Sequence, residues 1–254
     1  MRKNINHLIT ACALIILWEI LAKTGWYPRL LFPQISDILH SFVFNKQEIT
    51  HRVLYSVTLI CKGFLFSLIV AFTISSLATF NSFISNVLTT LMATMHPLPA
   101  IAILPIVLLW FGTGEKSILA IIIFSSIWPL TANIYNGFRS VPATQMEVGK
   151  NLGLKGTSLV LKVMTPASLP QIITGIRIGW ARAWQASVAA EMVFGASGGE
   201  GGIGWFLYKK RFMMEIPGVF AGLLVIILIG IIVENLFLSQ VENHTIRKWK
   251  ITTD

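Results

Sequence analysis

Apolar runs of about twenty residues recur six times along this chain, roughly at 7–23, 55–80, 87–111, 117–138, 171–195 and 217–238. Wound as a helix, such a run matches the ~30 Å hydrocarbon thickness of a bilayer. A backbone in lipid must satisfy its own hydrogen bonds, so each run is expected to be helical. Composition agrees, with 54% hydrophobic and only 12% charged residues, against roughly 25% charged in soluble domains. The sequence predicts an all-α integral membrane protein with six transmembrane helices in one domain, residues 1–254. The first run is short and holds Glu19. No small-x-small cleavage site follows it, and 23–28 reads as a membrane flank, so a retained helix is expected rather than a signal peptide. Pro28 and Pro33 mark a loop, and 34–52 reads as an amphipathic interfacial helix.

The net charge of +9 is spread over the connections between apolar runs. That fits membrane flanks and argues against a nucleic-acid partner. With six spans, nine lysines and arginines fall on each side, so charge alone does not orient the chain. Cys12 and Cys61 lie in apolar surroundings and read as buried small hydrophobes, not a disulfide. The five histidines show no metal-ligand spacing, and neither a catalytic constellation nor a cofactor site is expected. No G-x-x-x-x-G-K-[ST] stretch is present to cradle ATP phosphates. Gly199, Gly201 and Gly204 do spell G-x-G-x-x-G, but they follow an apolar helix, and "WFLYKK" after them gives no clear helix start. They read as an extracytoplasmic loop.

One long connection, 139–170, is polar where the rest of the chain is oily. Ala143 to Leu152 suits a short helix closed by Gly153, and Gly156 lets a second helix start near Thr157 at an angle. A short helix between two breaks suits docking in a groove of a soluble partner. Within this connection, Glu147, Gly153 and Val163-Met164-Thr165-Pro166 fit the spacing of the EAA signature of ABC importer permeases. Val148-Gly149 stand for its two alanines and Thr165 for its leucine. "HPLPAIAILPIVLLWFGTGE" (96–115), "TGIRIG" (174–179), "AAEMVFGASGG" (189–199) and Gly-Ile-Gly at 202–204 also resemble the nitrate, sulfonate, taurine and bicarbonate branch of that family.

The resemblance implies a type I importer permease fold with a cytoplasmic coupling helix. Glu147, Val148, Gly149, Leu152, Gly153 and Pro166 would couple to an ATPase. It also implies two ATP-binding cassette subunits, an extracytoplasmic substrate-binding protein and a second permease copy. The chain itself would hydrolyse no ATP. It would sit in the bacterial plasma membrane with both termini in the cytoplasm. The substrates of similar permeases range from sulfonates, taurine, nitrate and bicarbonate to aromatic carboxylates and pyrimidine vitamin precursors. The competing reading is an ATP-independent secondary transporter or channel. That class commonly shows an internal repeat, which this sequence lacks.

Pro97, Pro99 and Pro105 fall within the third run, where a helix interior tolerates proline poorly. They mark either a packing kink or a broken helix lining a pathway. Arg177 and Arg182 lie within the fifth run, where ionisable groups are costly. Arg177 is placed to pair with Glu234. Arg182 falls near the midplane with Gln185 on the same face. The pair offers donors to an anion, with a salt bridge to another span or a water-filled packing defect as the alternative. The expected translocation pathway thus holds Pro97, Pro99, Arg182 and Gln185.

Overall fold

The structure is a computed structural model and describes residues 2–25, 28, 30–195 and 201–233. Among these residues every regular element is helical. α1 (Arg2–Lys23) leads to α2 (Ile35–Phe44), α3 (Lys46–Phe80) and α4 (Ser82–Met95). A 3₁₀ turn (Ala100–Ile103) runs into α5 (Leu104–Phe111), followed by α6 (Glu115–Arg139). The polar connection folds as α7 (Ala143–Asn151), α8 (Thr157–Leu159), a π turn (Val160–Met164) and α9 (Thr165–Ala167). α10 (Leu169–Phe194), α11 (Ile203–Phe212) and α12 (Ile216–Ile232) complete the described chain.

Among the described residues, α3 and α6 are each long and apolar enough to cross a bilayer, and two bent pairs bring the number to four. In one pair α4 meets Ala100–Phe111 at 93°, and in the other Thr157–Ala167 meets α10 at 80°. The run expected at 87–111 is therefore not one straight helix. Pro97 and Pro99 cannot donate to the helical ladder, and each disfavours a helical residue before it. Pro99 sits in extended backbone at φ −63°, ψ 130°. Pro105 lies in the first turn of α5, where its missing N–H costs nothing.

The interfacial helix expected over 34–52 is also two elements. Asn45 ends α2, with its side-chain amide donating to the Ser41 carbonyl at 2.8 Å. Residues 46–52 then belong to α3, a helix of 35 residues. Glu19, the acid in the first run, proves to be a tie to α2. It accepts from the Ile35 N–H at 3.0 Å and pairs with Lys23 at 3.0 Å. Trp18 beside it donates to the Pro33 carbonyl at 3.1 Å and stacks on Phe32.

α6 lies between α3 and α10 and packs along both. Small side chains make this possible, as expected where helices associate in lipid by close packing. Ser67 and Ser126 share a 2.9 Å hydrogen bond between α3 and α6. A Cβ on Gly179 would stand 2.9 Å from Leu130 Cγ, so α10 approaches α6 closely there. Leu59, Ile60, Ile121, Ile122, Leu130 and Ile134 fill the core. Leu54, Leu65, Phe66 and Ile69 point outward from α3, as a lipid-facing surface requires. Cys12 and Cys61 correct the expectation of burial. Both are exposed, because each sits on an outward helix face; Cys61 shares its stripe with Leu54 and Leu65.

Candidate functional site

The polar connection builds its own surface. α7 ends where Gly153 takes φ +81°, a left-handed conformation that costs glycine little. There the Gly153 N–H donates to the Lys150 carbonyl at 2.9 Å and the Leu154 N–H to the Gly149 carbonyl at 3.0 Å. These two bonds close the helix and turn the chain back. The segment from Thr157 to Ala167 then packs under α7. Gly149 is buried against it, and a Cβ there would meet Leu159 Cδ1 at 2.8 Å and Val163 Cγ2 at 2.9 Å. The glycine that departs from the alanine pattern thus lets two helical layers touch.

Burying Gly149 turns Val148 and Leu152 outward, 59% and 74% exposed. They edge an open groove of ≈ 610 Å³ whose lining also includes Gly149, Leu154, Val163 and Pro166. Of the six residues expected to couple, Val148, Gly149, Leu152 and Pro166 line this groove. Gly153 shapes it by ending α7. Glu147 does not line it and stands exposed, in no ion pair among the described residues. Thr144, Gln145, Lys162 and Ala167 line the groove and were missed. The first of these had a signal, since Thr144, Val148 and Leu152 repeat at four-residue spacing along one helix face.

A second arrangement lies at the break after α4. Arg182 sits at the middle of α10, about 20 Å from either end. With His96, Leu98, Phe124, Ser125 and Trp128 it lines a small hollow beside the Pro97–Pro99 turn. The structure thus brings Arg182 beside the broken helix, although Pro97 and Pro99 do not themselves line the hollow. Gln185 is exposed on α10 but does not line the hollow. Arg177 is half-buried, and its expected partner Glu234 lies outside the described residues.

The glycines at 201–204 form no phosphate cradle. Glu191, fully buried in α10, accepts from Ser56 Oγ at 2.7 and 2.9 Å, from Ser187 Oγ at 3.1 Å and from the Gly204 N–H at 2.8 Å. Ser56 Oγ in turn accepts from the Ile203 N–H at 2.9 Å. A Cβ on Gly202 would fall 2.1 Å from Ser56 Oγ, so no other residue fits there. α11 starts directly after this glycine, at Ile203, where the sequence through 205–210 gives no clear helix start. Arg52 holds the Gly201 carbonyl at 2.8 Å. The sequence reading did not single out this tie between α3, α10 and α11, although an acid in an apolar run marked Glu191.

Comparison with known proteins gives a consistent result. Residues 63–240 match the model of the family described as binding-protein-dependent transport system inner membrane component. An ABC transporter permease protein of Methanocaldococcus jannaschii is 30% identical over 227 residues, 87% of this chain and 84% of its own length. An aliphatic sulfonates transport permease protein of Bacillus subtilis is 27% identical over 245 residues, 96% of this chain and 87% of its own. A nitrate import permease protein of Synechocystis is 26% identical over 250 residues, 95% of this chain and 89% of its own.

Proposed function

Because this chain belongs to the family of binding-protein-dependent transport system inner membrane components, as an ABC importer permease of the sulfonate and nitrate group, we propose that it is the membrane subunit of an ATP-driven importer for a small anion. Two copies span the membrane, six helices each, with both termini in the cytoplasm. Two ATP-binding subunits dock below, and an extracytoplasmic binding protein delivers the substrate. The chain carries the pathway, and ATP hydrolysis belongs to its partners.

The observation that carries this reading is the groove at α7. A short, capped helix in a polar connection exposes Val148 and Leu152 beside Pro166, which is the chemistry of a helix laid against a soluble partner's cleft. Glu147, exposed and in no ion pair among the described residues, adds a charge for that partner to read. Motion of the partner on nucleotide binding reaches the spans through the packed Gly149 contact and the 80° bend into α10. Pro97, Pro99, Arg182 and Gln185 belong to the pathway that those spans enclose. Proteoliposomes holding the chain and its ATPase should take up anion only with ATP inside and binding protein outside. Uptake that proceeds without ATP overturns the reading in favour of a secondary transporter or channel.

A further inference from the structure

The hollow at the α4 break holds more donors than the protein itself uses. Arg182 lies at the middle of α10 and is exposed, and an ionisable side chain inside a span is costly. Such a cost is normally offset by an acidic partner, yet the described carboxylates are committed elsewhere. Glu19 holds Lys23, Glu48 holds Arg52 and Lys209, Glu115 holds Lys62, and Glu215 holds Lys210. Glu191 is bound by two serines and a backbone N–H, and Asp37 accepts from the Gln34 N–H. Glu147 is exposed on α7, outside the spans. The Arg182 side chain accordingly makes no ion pair or hydrogen bond among the described residues.

A second donor waits in the same hollow. Trp128 Nε1 is buried without an acceptor among the described residues, and a buried donor left unmet is costly. The indole is held edge-on by Phe124, ring centroids 6.2 Å apart. The Ser125 hydroxyl donates to the Arg182 carbonyl at 3.1 Å and ties α6 to α10 at this level. His96, at the end of α4, adds an imidazole with at least one further N–H. The void is ≈ 20 Å³, about the space of one water oxygen.

We propose that Arg182 and Trp128, with His96 across the break, form an oxyanion station on the pathway. It takes the acidic head of the substrate, a sulfonate, nitrate or carboxylate, by one oxygen seated in the hollow while the rest of the molecule stays in the passage. The proposal rests on the importer reading and names its substrate class: the cargo carries a negative oxygen-rich group, and uncharged pyrimidines are not held here. Arg182 and Trp128 line the same hollow, and a guanidinium and an indole N–H that share one anion oxygen there give it charge-assisted and neutral bonds together.

The test uses the chain with its ATP-binding subunits in nanodiscs, labelled with 5-fluorotryptophan and followed by ¹⁹F NMR. Trp128→Phe assigns the resonance. Titration with methanesulfonate, nitrate and benzoate should move the Trp128 signal to saturation with at least one anion, whereas methanesulfonamide and uracil should not. Arg182→Gln should weaken the response about tenfold or more, and Arg182→Lys should restore part of it. If Arg182→Gln does not assemble, Arg182→Lys carries the comparison: its anion affinity should fall between that of the native chain and no binding. A Trp128 signal unmoved by all three anions, moved equally by methanesulfonamide, or moved equally in the arginine variants overturns the station. A chain that co-purifies with its ATPase but shows no anion response refutes this site and leaves the importer reading intact. An anion response without any ATPase association refutes the importer reading instead.

Discussion

At the scale of single residues, the buried acid of α10 carries the largest local stake. Glu191 collects hydrogen bonds from α3, from its own helix and from the start of α11. Glu191→Ala leaves Ser56, Ser187 and the Gly204 N–H without their acceptor, which should destabilise the chain by about 2–4 kcal/mol. Glu191→Gln keeps the shape and part of the bonding, and should cost less. Thermal unfolding in detergent checks the order, and equal melting of Ala and Gln variants would count against it. The sequence showed an acid in an apolar run but not its purpose, because Ser56 lies 135 residues away. Val148 and Leu152 were legible from the motif, and they make a second prediction. Val148→Asp with Leu152→Asp should reduce co-purification of the ATP-binding subunits at least about tenfold, since burying unpaired charge in an apolar contact is costly. Unchanged recovery of the ATPase would show that it docks elsewhere.

At the scale of elements, caps and breaks decide what the helices can do. Gly153→Val places a β-branched residue at φ +81°, where such side chains are strained by about 1–2 kcal/mol. The C-terminal turn of α7 should then unwind, ATP hydrolysis should persist and substrate uptake should fall several-fold. Wild-type uptake in that variant would remove the cap from the coupling route. Met214 is the opposite case. It takes φ +58° between α11 and α12, so Met214→Gly should raise stability by up to about 1 kcal/mol, read from the melting temperature. Helix positions were legible because run length in lipid leaves few choices. The division at Asn45 was not, because apolar residues flank it on one side and a good helix-forming stretch on the other. The prolines announced a break after α4, but its 93° angle depends on packing against α6 that no local pattern encodes.

At the scale of the whole molecule, one copy presents one α7 groove, whereas a pair of ATP-binding subunits needs two. Cysteine placed at Ile178, exposed on α10, should cross-link two copies in a chain whose Cys12 and Cys61 have been replaced. A purified complex with one copy per two ATPases would refute the pairing. The six-run pattern made the class of molecule legible, while orientation stayed hidden because basic residues are shared evenly between the two sides.

The length of α3 sets a further condition. At 35 residues it measures about 52 Å, and even a 40° tilt would leave it spanning roughly 40 Å of a 30 Å hydrocarbon layer. About 10 Å must stand clear as a mast. Its polar foot, Lys46 to Arg52, is built for that setting, and there Glu48 moors Lys209 of α11. That excess lies at the depth of the headgroup layer, since a bilayer with its headgroups is about 40–45 Å thick.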